Sequence, residues 1–201
     1  MNVLYVEYCP RGERSRTKKL GEYAISVLQA KGAKVERLDL TRDVPDLFSP
    51  ERLSVYYRRN YAGESLAPAD KALLTRMDAM TEQLMKADVV VIAYPMFNFS
   101  QPATVKAWFD SVMQKGKTWD MGAGGYVNLM KGRKALVISS SGGAYEGDYA
   151  FMEHSVTLSK VDLGFMGYDT KVVIAAGLNM FPEKEAEIMN TAKKNIDAAM
   201  I

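Results

Sequence analysis

The segment Asp88–Tyr94, with the sequence DVVVIAY, constrains the fold of this chain more than any other segment. After Asp88 its side chains are apolar without alternation, over a length that suits a strand better than a helix. Such a run is typical of a parallel strand that is covered on both faces. Because parallel strands are joined by crossover connections that are usually helices, the segment predicts a chain in which strands and helices alternate.

The rest of the sequence carries that alternation. Four further strands are predicted, at Val3–Tyr8, Ala33–Leu40, Lys134–Ser139 and Thr170–Ala175. Helices are predicted from a Ser15 or Thr17 cap to about Lys31, over Ala69–Lys86, from Ser100 onwards, from Asp148 to about Val161 and from Pro182 onwards. Two segments interrupt the pattern, namely Thr41–Pro68, an excursion with one helical turn near Pro50–Tyr57, and Lys115–Lys131, a glycine-rich loop. This order predicts a single α/β domain over residues 1–201, with a flavodoxin-like parallel sheet of five strands in the order 2-1-3-4-5 and helices on both faces.

Charge and composition exclude several classes of function. The 26 Lys and Arg residues against 24 Asp and Glu residues give a net charge of +2, too balanced to make nucleic acid the expected partner. The single cysteine excludes an internal disulfide and suits a reducing compartment, and the single histidine excludes most zinc sites. Because the sequence has no signal-peptide pattern and no apolar run of about 20 residues, we expect a cytoplasmic protein with no membrane partner. Because it has only one histidine and one cysteine, we expect no metal.

Three turns follow strands that the predicted order places at the centre of the sheet. In such sheets, ligands bind outside the carboxyl ends of the strands, near the point where the strand order reverses. The turns are Cys9–Thr17, Pro95–Ser100 and Ser140–Gly147. They lie far apart in the sequence but are expected to converge in space, so together they predict one ligand site.

The first turn combines hydroxyl groups with a helix start. Ser15 and Thr17 offer donors where the first backbone N–H groups of the helix are unpaired and the helix dipole favours an anion. The turn has neither a GxxxxGK[ST] nor a GxGxxG pattern, so it suits a terminal monophosphate better than a triphosphate or a pyrophosphate. The alternative is that Ser15 or Thr17 only caps the helix. The same helix start is expected to favour the thiolate of Cys9, although a lone thiol does not suit redox catalysis.

The other two turns supply an aromatic wall and a close backbone approach. The second turn carries Phe97, Phe99 and a methionine, which offer a flat, polarizable surface to a planar ring, and Asn98, which can bond the edge of a heterocycle. The third turn contains paired glycines, which let the backbone approach a ligand closely, and Tyr145, which can stack. Ordinary packing also explains each turn alone, whereas the three together favour a ligand.

Two blocks of the sequence resemble the FMN-dependent NADH-azoreductases, which also act as quinone reductases within the flavodoxin-like superfamily. They are IAYPMFNFSQPATVKAWFD, over Ile92–Asp110, and GRKALVISSSGG, over Gly132–Gly143. The resemblance covers nearly the whole chain. It implies a homodimer that binds FMN, takes hydride from NADH and reduces quinones or cleaves azo compounds to amines. The expected reaction is ping-pong through flavin N5, without a catalytic side chain, because the flavin carries the chemistry.

The resemblance also implies contacts at individual residues. The implied FMN contacts are Cys9, Ser15, Arg16, Thr17, Met96, Phe97, Asn98, Phe99, Ser140, Ser141, Gly142 and Gly143. Separately, aromatic side chains near the turns and in the glycine-rich loop are candidates for the acceptor pocket, namely Trp119, Tyr126, Tyr145 and Phe165. The chain departs from the family pattern at Cys9, where members often carry serine, and at Ser141, where they often carry arginine.

Other interpretations stay open at this point. A flavodoxin-like electron carrier is disfavoured by the net charge of +2, because such carriers are usually strongly acidic. An NAD(P)H:FMN reductase, or a regulatory protein that has lost its flavin, would keep the same fold, and no residue selects NADH over NADPH. His154 is expected to lie within a helix in a structural or solvated role. The Tyr and Arg residues of Tyr56–Tyr61 are interpreted as a solvated or dimer-facing surface in preference to a grip on RNA.

Overall fold

Strands and helices alternate along most of the chain. The computed structural model describes residues 1–199. The strands are β1 (Asn2–Glu7), β2 (Lys34–Asp39), β3 (Val89–Pro95), β4 (Trp119–Gly122), β5 (Gly125–Asn128), β6 (Lys134–Ser140) and β7 (Asp169–Ala175). The helices are α1 (Arg16–Ala30), α2 (Pro50–Asn60), α3 (Pro68–Leu73), α4 (Thr75–Lys86), α5 (Ala103–Val112), α6 (Ser155–Met166) and α7 (Glu185–Ala199). Short 3-10 helices lie at Gly12–Arg14, Gly147–Met152 and Pro182–Lys184.

Five of the strands form one parallel sheet in the order β2-β1-β3-β6-β7. Counted within the sheet, this is the order 2-1-3-4-5, so the predicted fold class is confirmed. The central strand is β3, in which Val91 lies opposite Tyr5 of β1 on one side and Leu136 of β6 on the other. The residues from Val89 to Tyr94 are all buried, which explains why their sequence does not alternate.

Two helical layers cover the sheet. Helices α1 and α7 pack on one face, where Ile25 of α1 and Ile196 of α7 are fully buried. Helices α4, α5 and α6 pack on the other face, where Trp108 of α5 and Leu163 of α6 are fully buried. The predicted helices on both faces are therefore confirmed. Across residues 1–199, none of the helices is both long and apolar enough to cross a bilayer.

The excursion between β2 and β3 is more helical than expected. It contains the 11 residues of α2, in place of the single turn predicted near Pro50–Tyr57. The helix predicted over Ala69–Lys86 is divided at Leu74 into α3 and α4. Helix α2 buries only Val55 and Tyr56, in a small separate core. Two buried positions give too weak a periodic pattern to predict a helix of this length.

The segment Lys115–Lys131, predicted as a glycine-rich loop, contains the antiparallel hairpin β4–β5. Trp119 pairs with Asn128, and Gly122 pairs with Gly125, across this hairpin. Gly125 has a φ of +110°, a conformation that side chains rarely allow. The glycines therefore mark a tight reversal between two short strands.

Helix α6 is shifted along the chain relative to the prediction and starts at Ser155. Glu153 fixes this start, because its carboxylate accepts a 2.9 Å hydrogen bond from the backbone N–H of Val156. The preceding residues form the 3-10 helix Gly147–Met152. The expectation that His154 lies within a helix is wrong, since it immediately precedes α6.

Two arginines of α2 pair with carboxylates of α3 and α4. Arg58 pairs with Asp70. Arg59 donates to both oxygens of Asp78, at 2.6 and 3.0 Å, and Lys117 donates to Asp78 at 3.0 Å. Because these charges are neutralised within the fold, the contacts support a structural role for the two arginines over a grip on RNA. The interpretation as a solvated surface is wrong for Tyr56, which is buried.

The Asp78 cluster predicts a pH-dependent contribution to stability. Partial burial raises the pKa of Asp78, but hydrogen bonds from Arg59 and Lys117 outweigh it and hold the pKa below its usual 3.8. A carboxylate with a lowered pKa stabilises the fold at neutral pH and loses that effect as the pH falls through its folded-state pKa. We expect Asp78→Asn to lower the free energy of unfolding by about 1–2 kcal/mol near pH 7, and by much less near pH 2.5, in urea titrations. An equal loss at both pH values would show that the charge of Asp78 is not responsible.

Candidate functional site

The three predicted turns meet in one cleft at the carboxyl ends of β1, β3 and β6. The cleft is open to solvent and has a volume of about 220 Å³. Its walls are formed by Pro10, Arg11, Ser15, Arg16, Thr17, Pro95, Met96, Phe97, Ser140, Ser141, Gly142, Leu178 and Asn179. Of the twelve residues that the resemblance implies as FMN contacts, all except Cys9, Asn98, Phe99 and Gly143 line this cleft. The convergence expected from the strand order is therefore observed.

The first turn presents the start of α1 to the cleft. Ser15 is the N-cap residue, and its hydroxyl oxygen accepts a hydrogen bond from the backbone N–H of Lys18 at 3.2 Å. The hydroxyl of Thr17 pairs with that of Ser140 at 2.5 Å, which ties the first turn to the third. The hydroxyl proton of a capping serine stays free to donate, and the first N–H groups of a helix have no partner inside it. The capping role and the anion-binding role of Ser15 are therefore compatible.

Cys9 is buried beside β3 and does not line the cleft. Its Sγ atom lies 3.9 Å from the carbonyl oxygen of Ala93. Burial raises the pKa of Cys9 to about 12. The expectation that the helix start favours the thiolate is wrong, because the loss of hydration on burial disfavours the charged form of the thiol at this position.

The second turn is a tight reversal with an unusual backbone. Asn98 and Phe99 both have positive φ angles, +47° and +69°, which non-glycine residues rarely adopt. Two 3.0 Å hydrogen bonds between the backbones of Phe97 and Ser100 close the turn. The N–H of His154 donates to the carbonyl oxygen of Phe99 at 2.9 Å and anchors the turn to the start of α6. Backbone strain of this kind persists only where the surroundings enforce it, and it is common at ligand sites.

The side chains of the second turn divide between the cleft and its outer surface. Phe97 lies on the cleft wall, with its ring edge-on to that of Tyr8 at a centroid distance of 6.1 Å. Phe99 packs instead against Tyr145, edge-on at 5.8 Å. Asn98 is exposed at the tip of the turn. The turn therefore gives the cleft one partly exposed ring, that of Phe97.

The third turn brings backbone to the cleft. A Cβ atom at Gly142 would lie 2.7 Å from Nδ2 of Asn179, so only glycine fits without displacing that side chain. Ser141 and Met96 line both the cleft and a neighbouring cavity of about 310 Å³. Tyr145 lies on the wall of that cavity. This acceptor-pocket candidate therefore stands next to the cleft and not in it.

A fourth turn, which was not predicted from the sequence, completes the cleft. Leu178 and Asn179, in the turn after β7, lie on its wall. Backbone hydrogen bonds hold this turn against the third one, from Gly177 N–H to the Gly143 carbonyl at 2.9 Å and from Asn179 N–H to the Gly142 carbonyl at 3.0 Å. A sequence signal for this turn exists, because it directly follows strand β7, and the other three turns were identified by the same position at the carboxyl end of a strand.

Arg16 bridges the first and fourth turns. Its Nη1 donates to Oδ1 of Asn179 at 3.1 Å, and its Nη2 donates to Oε2 of Glu185 at 2.6 Å. The hydrogen bond between Arg16 and Glu185 raises the pKa of Arg16 and lowers the pKa of Glu185, so both groups are charged at neutral pH. A positive charge is therefore held in place beside the start of α1.

The other acceptor-pocket candidates gather outside the walls of this cleft. Trp119, Tyr126 and Phe165 form a cluster of three edge-on rings with centroid distances of 5.1 to 5.8 Å. Tyr126 is 66% exposed, so the cluster presents aromatic surface to solvent. The structure brings these three rings together but does not join them to the cleft of the same chain.

Known proteins share this fold. A family model described as a flavodoxin-like fold matches residues 1–200. An FMN-dependent NADH:quinone oxidoreductase from Azospirillum brasilense is 32% identical over 206 residues, covering 100% of this chain and 98% of that protein. The chain belongs to this flavodoxin-like family. An azoreductase structure from Bacillus anthracis strain Sterne matches with a TM-score of 0.90 at 26% identity, covering 99% of this chain and 98% of the other. An FMN-dependent NADH-azoreductase from B. anthracis strain Ames Ancestor, in complex with FMN, matches with a TM-score of 0.87 at 26% identity, covering 98% and 96%.

The cleft of this family member has the donors and surfaces that FMN requires. The start of α1 and the guanidinium of Arg16 offer N–H donors and positive charge to a phosphate. Met96 and Phe97 offer an apolar wall to a planar ring. The glycine at position 142, where a Cβ would clash, allows the backbone to approach closely. Among residues 1–199, no group of three or more His, Cys, Asp or Glu side chains is arranged to hold a metal ion.

Proposed function

We propose that this chain is an FMN-dependent oxidoreductase that transfers hydride from NADH to quinones and cleaves aromatic azo compounds to amines. The observation that carries the proposal is the convergence of an anion-binding helix start and an apolar, ring-bearing turn on one open cleft. The printed names of the relatives support the same chemistry, since they describe quinone oxidoreductases and azoreductases. NADPH is an alternative hydride donor in this proposal.

Each turn has a distinct role in this proposal. The first N–H groups of α1, the hydroxyl of Ser15 and the guanidinium of Arg16 would hold the FMN phosphate. Met96 and Phe97 would pack against the flavin ring, and backbone N–H groups near Gly142 would stabilise negative charge at its edge. Held by these residues, FMN would supply the hydride chemistry between the nicotinamide and the acceptor through its N5 atom. The protein contributes position and electrostatics, and no side chain acts as a nucleophile.

The shape of this cleft favours a ping-pong reaction. In this proposal the four turns enclose the flavin on one side, so the donor and the acceptor would use the same exposed ring face in succession. We expect initial rates at varied NADH and several fixed quinone concentrations to give parallel double-reciprocal lines. The measurement uses the FMN-loaded protein and a water-soluble quinone. Intersecting lines would show that both substrates bind together and would contradict the ping-pong order.

Anaerobic reduction separates the proposed function from its alternatives. The FMN-loaded protein is mixed with NADH or NADPH, and the flavin absorbance is followed before and after a quinone or an azo dye is added. We expect NADH to bleach the flavin, both acceptors to restore the absorbance, and the dye to yield two aromatic amines for every two NADH consumed, because cleavage of an azo bond takes four electrons. An electron carrier would not be bleached by NADH directly, and an NAD(P)H:FMN reductase would release its reduced flavin through an ultrafiltration membrane. A chain that binds no FMN would overturn the proposal.

We further propose that the chain acts in the cytoplasm as a homodimer, as the resemblance and the single cysteine imply. The support for a dimer is the apolar surface on and after the hairpin β4–β5, where Met121, Tyr126, Val127 and Leu129 are 42% to 66% exposed. Contiguous exposed apolar side chains commonly mark a protein–protein contact. Light scattering during size-exclusion chromatography is expected to give twice the mass of one chain, and a monomer at micromolar concentration would contradict the dimer.

A further inference from the structure

Arg16 is held by residues that come much later in the chain. Asn179 and Glu185, which accept hydrogen bonds from its two terminal nitrogens, follow it by 163 and 169 positions. Asn179 lies in the turn after β7, and Glu185 is the first residue of α7. The side chain of Arg16 therefore connects the start of α1 to the start of α7, along one wall of the cleft.

The two partners of Arg16 are themselves fixed in place. The backbone N–H of Asn179 donates to the carbonyl oxygen of Gly142 at 3.0 Å, and its side chain packs so closely over Gly142 that no Cβ fits between them. Glu185 lies in the first turn of α7, where the helix dipole favours a carboxylate. Hydrogen bonds to two ordered segments therefore fix the orientation of the Arg16 side chain, which would otherwise be flexible.

A guanidinium held in this way is preorganised for an anion. It has five N–H donors, and Asn179 and Glu185 engage one terminal nitrogen each, so further donors remain for ligand oxygens. The side chain of Arg16 is 23% exposed, which leaves it accessible from the cleft but partly shielded from water. Its neighbour on the same wall is the start of α1, which favours the same kind of ligand.

We propose that Asn179 and Glu185 are positioning residues, which hold Arg16 for the phosphate of FMN and so give the cleft its preference for FMN over riboflavin. This inference rests on the proposed function. Glu185 acts through its acceptor oxygen, since its negative charge by itself opposes a phosphate. Removing the charge while keeping the acceptor therefore does not weaken binding, whereas removing the acceptor does.

The test compares a flavin that carries the phosphate with one that lacks it. The apo-protein is titrated with FMN and with riboflavin, and each Kd is obtained from the quenching of flavin fluorescence. We expect Glu185→Ala and Asn179→Ala each to raise the Kd for FMN about tenfold, while the Kd for riboflavin changes less than about twofold. Glu185→Gln is expected to bind FMN within about twofold of the wild type or more tightly, because its amide oxygen still accepts from Arg16.

Glu183→Ala is the matched control, because it removes an exposed carboxylate from the 3-10 helix just before α7. It is expected to leave both Kd values unchanged, and thermal melts followed by circular dichroism confirm that each variant folds. The inference is overturned if Glu185→Ala leaves FMN binding unchanged or tightens it, or if the two flavins lose affinity equally. If the wild-type chain binds neither flavin, the proposed function fails and the positioning roles fail with it.

Discussion

Gly142→Val is expected to weaken FMN binding by about 100-fold or more, close to 3 kcal/mol, while the chain still folds. A Cβ atom at this position would lie 2.7 Å from Nδ2 and 3.2 Å from Cγ of Asn179, well inside van der Waals contact. Asn179 would have to move, which breaks its hydrogen bond with Arg16. The added methyl groups would also enter the cleft wall, where the proposal requires the backbone to approach the flavin.

The matched control for this substitution is Gly124→Val. Gly124 lies in the turn of the hairpin β4–β5, has no heavy atom within 4 Å of its Cβ position and does not have a positive φ. We expect this control to bind FMN as the wild type does, in the same fluorescence titration of the apo-protein. If Gly142→Val bound FMN within about threefold of the wild type, Gly142 would not be part of the FMN surface.

The sheet and the position of the cleft were predictable because both depend on local patterns. The continuous apolar run of Val89–Tyr94 identified a central parallel strand, and the structure places that strand between β1 and β6. Alternating strands and helices then fixed the order of the sheet, and the carboxyl ends of the strands fixed the edge at which ligands bind. The cap at Ser15 was also a local signal, since the residue types at a helix start are restricted.

The fourth wall of the cleft was not predicted because it depends on contacts between distant segments. Leu178 and Asn179 match no motif, and their place on the wall is set by backbone hydrogen bonds to Gly142 and Gly143. The carboxyl-end rule would have selected this turn if it had been applied to the edge strand as well. The ion pair between Arg16 and Glu185 had no sequence signal, because neither residue type nor spacing relates two positions so far apart.

Local sequence patterns also did not predict which neighbours individual side chains contact. Phe97 and Phe99 are two residues apart on one turn, in which Asn98 and Phe99 have positive φ angles. The side chain of Phe97 nevertheless lies on the cleft wall, whereas that of Phe99 packs against Tyr145. Cys9 follows β1 at the expected edge, but its thiol turns inward beside Ala93. In both cases the sequence located the backbone correctly, and tertiary packing decided what each side chain contacts.

Gly21→Ala is expected to lower the free energy of unfolding by about 2–3 kcal/mol. Gly21 is buried in α1, and a Cβ atom there would lie 2.2 Å from the hydroxyl oxygen of Tyr5 and 3.1 Å from the Cβ of Ala93. Tyr5 and Ala93 are both fully buried in the sheet, where packing is too dense to yield without cost. The glycine therefore allows α1 to approach β1 and β3 more closely than any other residue would.

Two further variants test that contact in urea titrations of the apo-protein. Tyr5→Phe removes the hydroxyl that the new Cβ would meet, so in the Gly21→Ala background it is expected to restore about half of the lost stability. Gly164→Ala is the control, because Gly164 lies within α6 and has no heavy atom within 4 Å of its Cβ position. Alanine there is expected to raise stability by up to about 1 kcal/mol, through helix propensity and a smaller unfolded-state entropy. Equal effects at the two glycines would contradict the close approach of α1, and with it the packing that holds the anion-binding start of that helix at the cleft.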